Sequence, residues 1–382
     1  MRIALDVSGV IGPPSGVHRY AEELLQGLSE IDSVNEYLIY AAFWTGFPDR
    51  LRSFAVPKAK NFTLVPVRLP QQLVLKVEGR FGVRIQERLL ARYRPDVVHG
   101  VANILPPLRD ARSVVTLHHV QGDGQEVTDR WTQFYFADST RRSAAQADRV
   151  VAVSEYTREQ AMKLYSIEPE RITTIWEGGA AAALRTPHDP AALSALGLAG
   201  PYILYVSSIS VRKNLLCLVE AYAALRAKGG LKHSLVLVGH KGDVYLSLQA
   251  AVDRLGLHDQ VRFIDGVSQE TLNAIYRGAD LFVYPSLLEG FGLPVLEAMT
   301  CSVPVIAARA TCLPEIAGDA AVYFDGTSSE DLASQLARVL PDESLKRELV
   351  AKGLKRAALF SWRETARRTL EVYKAVAAQK RV

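Results

Sequence analysis

Two carboxylates eight positions apart, in Glu289-Gly-Phe-Gly-Leu-Pro-Val-Leu-Glu297, bracket a stretch whose residue types suit a polyol and an anion. A carboxylate accepts hydrogen bonds from two hydroxyls at once. Gly290 and Gly292 let backbone N–H groups come close to an anion. Pro294 suits the first turn of a helix, where its missing N–H costs nothing and the positive helix end lies behind the loop. Glu289 then precedes the helix and Glu297 sits in its first turns, so both are expected to face one ligand. A second group, Arg212-Lys213-Asn214, follows the Ser-rich segment Ser207–Ser210 and sets two cations side by side. Fixed cations of this kind stabilise the charge that develops on a departing diphosphate more than they stabilise the ground state.

Other residues stand where a ligand would be expected. His118-His119 follows the apolar run Val114–Leu117, where an imidazole can bond a hydroxyl or face developing charge. The pair is accompanied by neither HExxH nor CxxC, so zinc ligation is not expected. Gly12-Pro-Pro-Ser-Gly16 opens a helix with Tyr20, Leu24, Leu25 and Leu28 as its apolar stripe. Its spacing is not that of the dinucleotide fingerprint, so it reads either as a turn that admits a phosphate or sugar or as a plain tight turn. No Asp-x-Asp occurs in the chain, which leaves Arg212, Lys213 and the helix N-terminus to neutralise a diphosphate without a metal.

These residues need a scaffold that gathers them at one edge. Apolar, β-branched runs alternate with helical patterns at Arg2–Val7, Tyr37–Ala42, Phe62–Val67, Val97–Val98, Ser113–Leu117, Arg149–Val153 and Thr173–Ile175. The alternation restarts after the Pro/Gly/Ala-rich stretch Pro187–Gly200, at Tyr202–Val206, Ser234–Val238, Val261–Ile264, Leu281–Val283, Val303–Ala307 and Ala321–Phe324. Continuous apolar strands separated by helices predict parallel sheets covered on both faces, with ligands at the carboxyl ends of the strands. The reading is therefore α/β with two Rossmann-like, doubly wound domains in tandem. The first domain is expected over residues 1–185, a linker over 186–200 and the second domain over 201–361. A last helix over 362–382 is expected to cross back to the first domain.

A length of 382 residues suits two domains of this size, and 48% hydrophobic with 23% charged residues excludes extensive disorder. Three cysteines, Cys217, Cys301 and Cys312, form no CxxC pair and sit in apolar surroundings, which fits buried thiols and a reducing compartment. No signal-peptide pattern precedes the first strand and no apolar run approaches membrane-spanning length, so a cytoplasmic location is expected. A net charge of +4 gives no argument for nucleic acid. The charge is uneven, however: Arg50–Arg112 carries thirteen Lys or Arg against four acids. If helical, the segment with Arg80, Arg84, Arg88 and Arg92, four apart, is basic and amphipathic and faces either an anionic acceptor, an anionic membrane surface or plain solvent.

Taken together, the motifs resemble the family-four retaining glycosyltransferases of the GT-B fold, over nearly the whole chain. The resemblance is carried by Glu289-Gly-Phe-Gly-Leu-Pro-Val-Leu-Glu297-Ala-Met, Pro304-Val-Ile, Leu313-Pro-Glu315, Val206–Asn214, Val238-Gly239 and Ser15-Gly16-Val-His-Arg-Tyr20. It implies two domains facing across a cleft, no metal and no resident cofactor. Glu289 and the amides of Gly290, Phe291, Gly292 and Leu293 would hold the donor sugar, and Glu297 the ribose diol. Lys213 and Arg212, with Ser208 and Gly16 nearby, would hold the diphosphate. His118 would sit beside the sugar, and the base would rest near Val267 and Leu272. Arg80, Arg84, Arg88 and His119 are candidates on the acceptor side.

Three positions depart from the family pattern: His118-His119 for His-Asp, Ser207-Ser208 for Gly-Arg, and Glu177-Gly178 for Asn-Gly. The flavour of Ser207–Asn214 is similar to the polysaccharide-building branch that often uses GDP-mannose, with a glycan or polyprenyl-linked acceptor; UDP-glucose, UDP-galactose or a deoxysugar donor would fit the same motifs. Rival readings are a non-catalytic nucleotide-sugar-binding partner and a GT-B epimerase or inverting transferase, in which His119 or Asp123 would serve as base.

Overall fold

In this computed structural model, which describes residues 1–11, 15–106, 108, 111–120, 130–179, 191–198 and 200–379, the apolar runs form two separate parallel sheets. The first contains β1 (Arg2–Asp6), β2 (Glu36–Phe43), β3 (Phe62–Arg68), β4 (Val97–Gly100), β5 (Arg112–Leu117), β6 (Arg149–Ala152) and β7 (Ile172–Thr174), ordered β3-β2-β1-β4-β5-β6-β7. The second contains β8 (Tyr202–Val206), β9 (Ser234–Val238), β10 (Val261–Ile264), β11 (Leu281–Tyr284), β12 (Val305–Ala308) and β13 (Ala321–Phe324), ordered β10-β9-β8-β11-β12-β13. Each order reverses beside its first strand, between β1 and β4 and between β8 and β11. Such a reversal opens a crevice at the carboxyl ends of the strands.

The helices follow the strands. Around the first sheet lie α1 (Gly16–Ile31), α2 (Phe47–Arg52), α3 (Gln71–Phe81), α4 (Ile85–Ala91), α5 (Arg130–Gln146) and α6 (Glu155–Tyr165). The short α7 (Ala191–Ala195) precedes the second sheet and α8 (Leu215–Ala227), α9 (Tyr245–Arg254), α10 (Gln269–Arg277) and α11 (Leu293–Thr300). The chain closes with α12 (Leu313–Ala317), α13 (Ser329–Val339), α14 (Glu343–Ala357) and α15 (Trp362–Ala377).

The central strands of the first sheet are buried on both faces, while the edge strand β3 is partly exposed. Successive β1 side chains point to opposite sides: Ile3 and Leu5 join a core shared with α1, and Ala4 joins a second core with Leu90 of α4 and Ala161 of α6. A continuous apolar strand, not an alternating one, is what such a site requires. All three cysteines are buried and form no disulfide.

The chain divides into unit 1, Met1–Gly178 with Ser361–Val382, and unit 2, Gly179–Phe360. Residues 180–190, including part of the Pro187–Gly200 stretch, lie outside the described residues. The tail helix α15 packs Ala366, Leu370, Tyr373 and Val376 into the same core as Tyr20, Leu24 and Leu28 of α1. Tyr373 also meets the ring of His99 on β4, with its hydroxyl 2.6 Å from Nδ1, while His99 Nε2 lies 2.8 Å from the Thr116 hydroxyl. Burial, with the charge of His118 adding, pushes the His99 imidazole down to about 3, so the ring is neutral. One donor and one acceptor nitrogen suit two hydroxyls, each of which can play either part.

The segment Arg80–Arg92 is not one continuous helix: it spans the end of α3 and all of α4. Gly82 takes a left-handed conformation (φ 65°) and ends α3, a conformation that a residue with a Cβ adopts only at a cost. The carboxylate of Glu78, buried on α3, then accepts hydrogen bonds from the backbone N and the side-chain Nε2 of Gln86 on α4, each at 2.8 Å. The four arginines therefore do not share one face. Arg84 is half-buried and pairs with Glu87 at 3.3 Å, while Arg80, Arg88 and Arg92 are exposed. Beside them Phe81 is 72% and Leu73 59% exposed, which leaves an apolar and cationic surface on this helix pair.

Candidate functional site

At the carboxyl edge of the second sheet, four segments meet. The loop after β8 runs through a 3-10 turn at Val211–Lys213 into Asn214, which is left-handed (φ 55°) and opens α8. Its backbone is joined to the loop after β11, where Leu287 N donates to Arg212 O at 3.0 Å, and its Asn214 side chain to the loop after β13, Nδ2 donating to Gly326 O at 2.8 Å. The loop after β9 presses on it from the other side, and a Cβ at Gly239 would run into the carbonyl of Ser207, so only glycine fits there. Ser208 stands at this crossing, its carbonyl accepting from the Tyr205 hydroxyl at 2.9 Å. The residues of β8 and β11 are fully or almost fully buried, so both loops rest on a rigid base.

Lys213 and Glu289, 76 positions apart, come together here as a directly bonded pair, with Lys213 only 3% exposed. Glu289 Oε1 also accepts from the hydroxyls of Tyr284 at 2.9 Å and Ser286 at 2.6 Å, and the Tyr284 hydroxyl accepts from Lys213 Nζ at 2.8 Å. Arg212 lies 3.5 Å from Glu289 Oε2 and donates to Leu288 O at 3.0 Å. Burial alone would raise the Glu289 carboxyl, but the charges of Lys213 and Arg212 and hydrogen bonds from Lys213 and Ser286 overcome it and hold the group at about 2. Burial, against the pull of Glu289 and with Arg212 adding, draws the Lys213 ammonium down to about 8. Near neutral pH the site is thus one carboxylate against two cations, with positive charge in excess.

Next to this cluster, Gly292 (φ 99°) caps α11 and Pro294 stands in its first turn, so the amides of Phe291, Gly292 and Leu293 open a helix as the sequence requires. The loop is fixed from below: Cys312 Sγ donates to the carbonyls of Glu289 at 3.4 Å and Phe291 at 3.2 Å, and the Phe291 ring packs edge-on against Phe360. Phe291 therefore serves the site through its backbone, and Gly290 lies in the same loop. Glu297 is buried on α11 and accepts from Tyr276 of α10 at 2.7 Å. Leu272 lies one turn earlier on α10, which begins behind Val267 and is capped by Ser268 accepting from Thr271 N at 3.2 Å. Glu297 and Leu272 are thus linked through one helix. The two glutamates that the spacing set toward one ligand are engaged by separate partners in this state.

Unit 1 carries the other candidates. Gly16 opens α1 behind Ser15, whose hydroxyl accepts from His18 N at 3.2 Å, and a Cβ at Gly16 would meet nothing within 4 Å. Residues 12–14 of that loop, and Asp123, lie outside the described residues. His118 follows β5, and its ring nitrogens face Glu177 Oε1 at 3.0 Å and Val101 O at 2.8 Å. Both partners are acceptors. His119 is half-buried beside it. Arg80, Arg84 and Arg88 belong to the α3–α4 pair and are not gathered with either histidine by any hydrogen bond or ion pair described for them. Among the described residues, no three His, Cys, Asp or Glu side chains converge as metal ligands.

Tyr284, Ser286, Tyr276 and Glu177 were not selected from the sequence as members of these clusters. Tyr284 and Ser286 flank the strand end before Glu289 and were legible as neighbours of the site; Glu177 is 59 positions from His118, and nothing local points to the pair.

Comparison with known proteins adds two family matches and a full-length relative. Residues 14–178 match the model described as Glycosyltransferase Family 4, and residues 195–356 the one described as Glycosyl transferases group 1. The chain is 30% identical to the O-antigen chain mannosyltransferase B of Escherichia coli, over 98% of this chain and all of that one. Among solved structures it is similar to sucrose-phosphate synthase from Thermosynechococcus elongatus, with a TM-score of 0.76, 20% identity and 99% of each chain covered. It is also similar to WaaG, a glycosyltransferase involved in lipopolysaccharide biosynthesis, with a TM-score of 0.74, 18% identity, and 97% and 99% of the two chains covered. The structural likenesses show the GT-B fold.

Proposed function

Because the chain belongs to glycosyltransferase family 4, we propose that it transfers mannose from GDP-mannose to a hydroxyl of a polysaccharide, with retention at the anomeric carbon and without a metal. The observation that carries this reading is the buried Lys213–Glu289 pair with Arg212 beside it, which leaves one uncompensated positive charge where a diphosphate would lie. The full-length O-antigen mannosyltransferase relative supports mannose and a polysaccharide acceptor.

In this reading the bond from the anomeric carbon to the diphosphate oxygen breaks, and the acceptor oxygen bonds to that carbon on the same face. The acceptor proton passes to the departing phosphate oxygen, so no enzymic nucleophile is needed. Lys213 and Arg212 stabilise the charge on the leaving group, aided by the amides opening α11. Glu289 holds the sugar and keeps Lys213 charged; Glu297, oriented by Tyr276, holds the ribose; Val267 and Leu272 flank the base. In this reading His118, held by Glu177, serves the sugar from unit 1.

The test is a thermal-shift and hydrolysis screen over GDP-, UDP-, ADP- and dTDP-sugars, with and without EDTA. GDP-mannose is expected to stabilise the protein and to be hydrolysed slowly in EDTA, with an α-configured transfer product. Stabilisation by a different donor would move the sugar assignment, loss of turnover in EDTA would refute metal independence, and a β-product would refute retention. Binding with no turnover on any acceptor would favour a non-catalytic partner.

The reading includes a lipid-linked acceptor met at an anionic membrane surface. Exposed Leu73 and Phe81 beside Arg80 and Arg88 support that surface, while Arg84 is already paired. Flotation with phosphatidylglycerol-containing vesicles should carry the protein, and Arg80→Glu with Arg88→Glu should abolish it. Equal flotation on neutral vesicles would refute the electrostatic part.

A further inference from the structure

We infer that Trp44 is the stacking platform of an acceptor-glycan subsite at the carboxyl edge of the first sheet, an inference that rests on the glycan acceptor proposed above. Trp44 is the residue immediately after β2 and is 63% exposed. It stands one strand from β1 at the edge where doubly wound sheets take their ligands.

The ground beneath it is rigid. The Phe43 and Phe47 rings on either side of the turn lie 5.0 Å apart; Arg50 stacks on Phe43 at 4.8 Å and Arg68 on Phe47 at 5.1 Å. Arg50 also donates to the carbonyl of Ile11 in the loop after β1, and Phe43 O accepts from Leu69 N at 3.2 Å. The turn that carries Trp44 is thereby tied to the loops after both neighbouring strands. An indole has only two side-chain torsions to order on binding, and its electron-rich face attracts C–H edges of positive partial charge. A pyranose presents such a C–H face, ringed by hydroxyls. Around Trp44 the chain supplies matching polar groups, namely Thr45, Asp49 and Arg52, with Arg68 exposed on β3.

This chemistry favours a saccharide over a lipid surface. Asp49, paired with Arg52 at 3.5 Å, can accept hydrogen bonds from hydroxyls on its remaining lone pairs while the guanidinium donates to them, the mixed donor and acceptor set that a polyol matches. The apolar exposure that suits a bilayer, Leu73 and Phe81, belongs to α3 instead.

The experiment titrates the full-length protein and its Trp44→Phe and Trp44→Ala variants with soluble α-linked mannose oligosaccharides. It reads tryptophan emission and, separately, transfer and donor hydrolysis. The oligosaccharide is expected to change the emission of the wild type, with that change missing in both variants. The acceptor KM should rise roughly three- to tenfold in Trp44→Ala, the size of one aromatic contact, and less in Trp44→Phe. Donor KM and donor hydrolysis should stay unchanged.

An unaltered acceptor KM together with an emission change that survives in the variants would overturn the subsite. So would a loss seen only with vesicle-bound acceptor, which would make Trp44 a membrane contact. Saccharide-dependent Trp44 emission without any GDP-mannose hydrolysis would keep the subsite and overturn the donor reading instead.

Discussion

Replacement of Lys213 by Ala is expected to lower turnover at saturating donor by roughly 10²–10³, the loss that follows removal of one preorganised charge-stabilising donor. Lys213 is buried at 3% exposure, so its charge acts through a medium that screens it far less than water does. Its partner does not become stranded in the variant, because Arg212 still lies 3.5 Å from Glu289. The effect should therefore appear in kcat more than in donor KM, as for an interaction that strengthens in the transition state.

The pH profile provides a check that a merely structural lysine would not satisfy. With the ammonium drawn down to about 8, the cationic form is present below that pH and lost above it, so kcat/KM for the donor should fall on the alkaline side of about 8. The limb should be absent from the residual activity of Lys213→Ala. A variant with wild-type turnover, or one that keeps the limb, would remove Lys213 from leaving-group stabilisation.

The second large effect is expected in stability. Glu289→Gln keeps an oxygen for Tyr284 and Ser286 but removes the countercharge from buried Lys213, which then faces Arg212 without compensation. Breaking a buried pair by removing one partner costs about 3–5 kcal/mol. For a unit of this size that is a fall in Tm of roughly 10 °C.

GDP supplies the missing negative charge, so the rise in Tm that it produces should be larger in Glu289→Gln than in the wild type. Equal shifts in the two proteins would mean that the diphosphate does not rest on Lys213 and Arg212. No loss of stability would mean that the ion pair contributes nothing to unit 2.

Much of the site was legible because its chemistry is carried by short segments. Glycine at 292, proline at 294 and the flanking glutamates specify a loop that opens a helix, and that helix begins at Leu293. The adjacent cations of Arg212-Lys213 likewise lie in one 3-10 turn. The segment Arg80–Arg92 shows the limit of such reading. Its four-residue spacing fits one helix, yet Gly82 finds a left-handed conformation, and Glu78 gains two hydrogen bonds from Gln86 only if the chain folds back there. A periodicity count cannot weigh that gain.

By itself the sequence determined the central strands, because a run buried on both faces has to be apolar at nearly every position, and it determined which loops follow their carboxyl ends. Only the tertiary structure decided how the charged groups are partnered. Lys213 meets Glu289 across 76 residues, His118 meets Glu177 across 59, and Glu297 is turned toward Tyr276 on a different helix. Charges reach their partners through space, and a burial strong enough to draw a lysine down to about 8 exists only once the strands and loops around it have assembled.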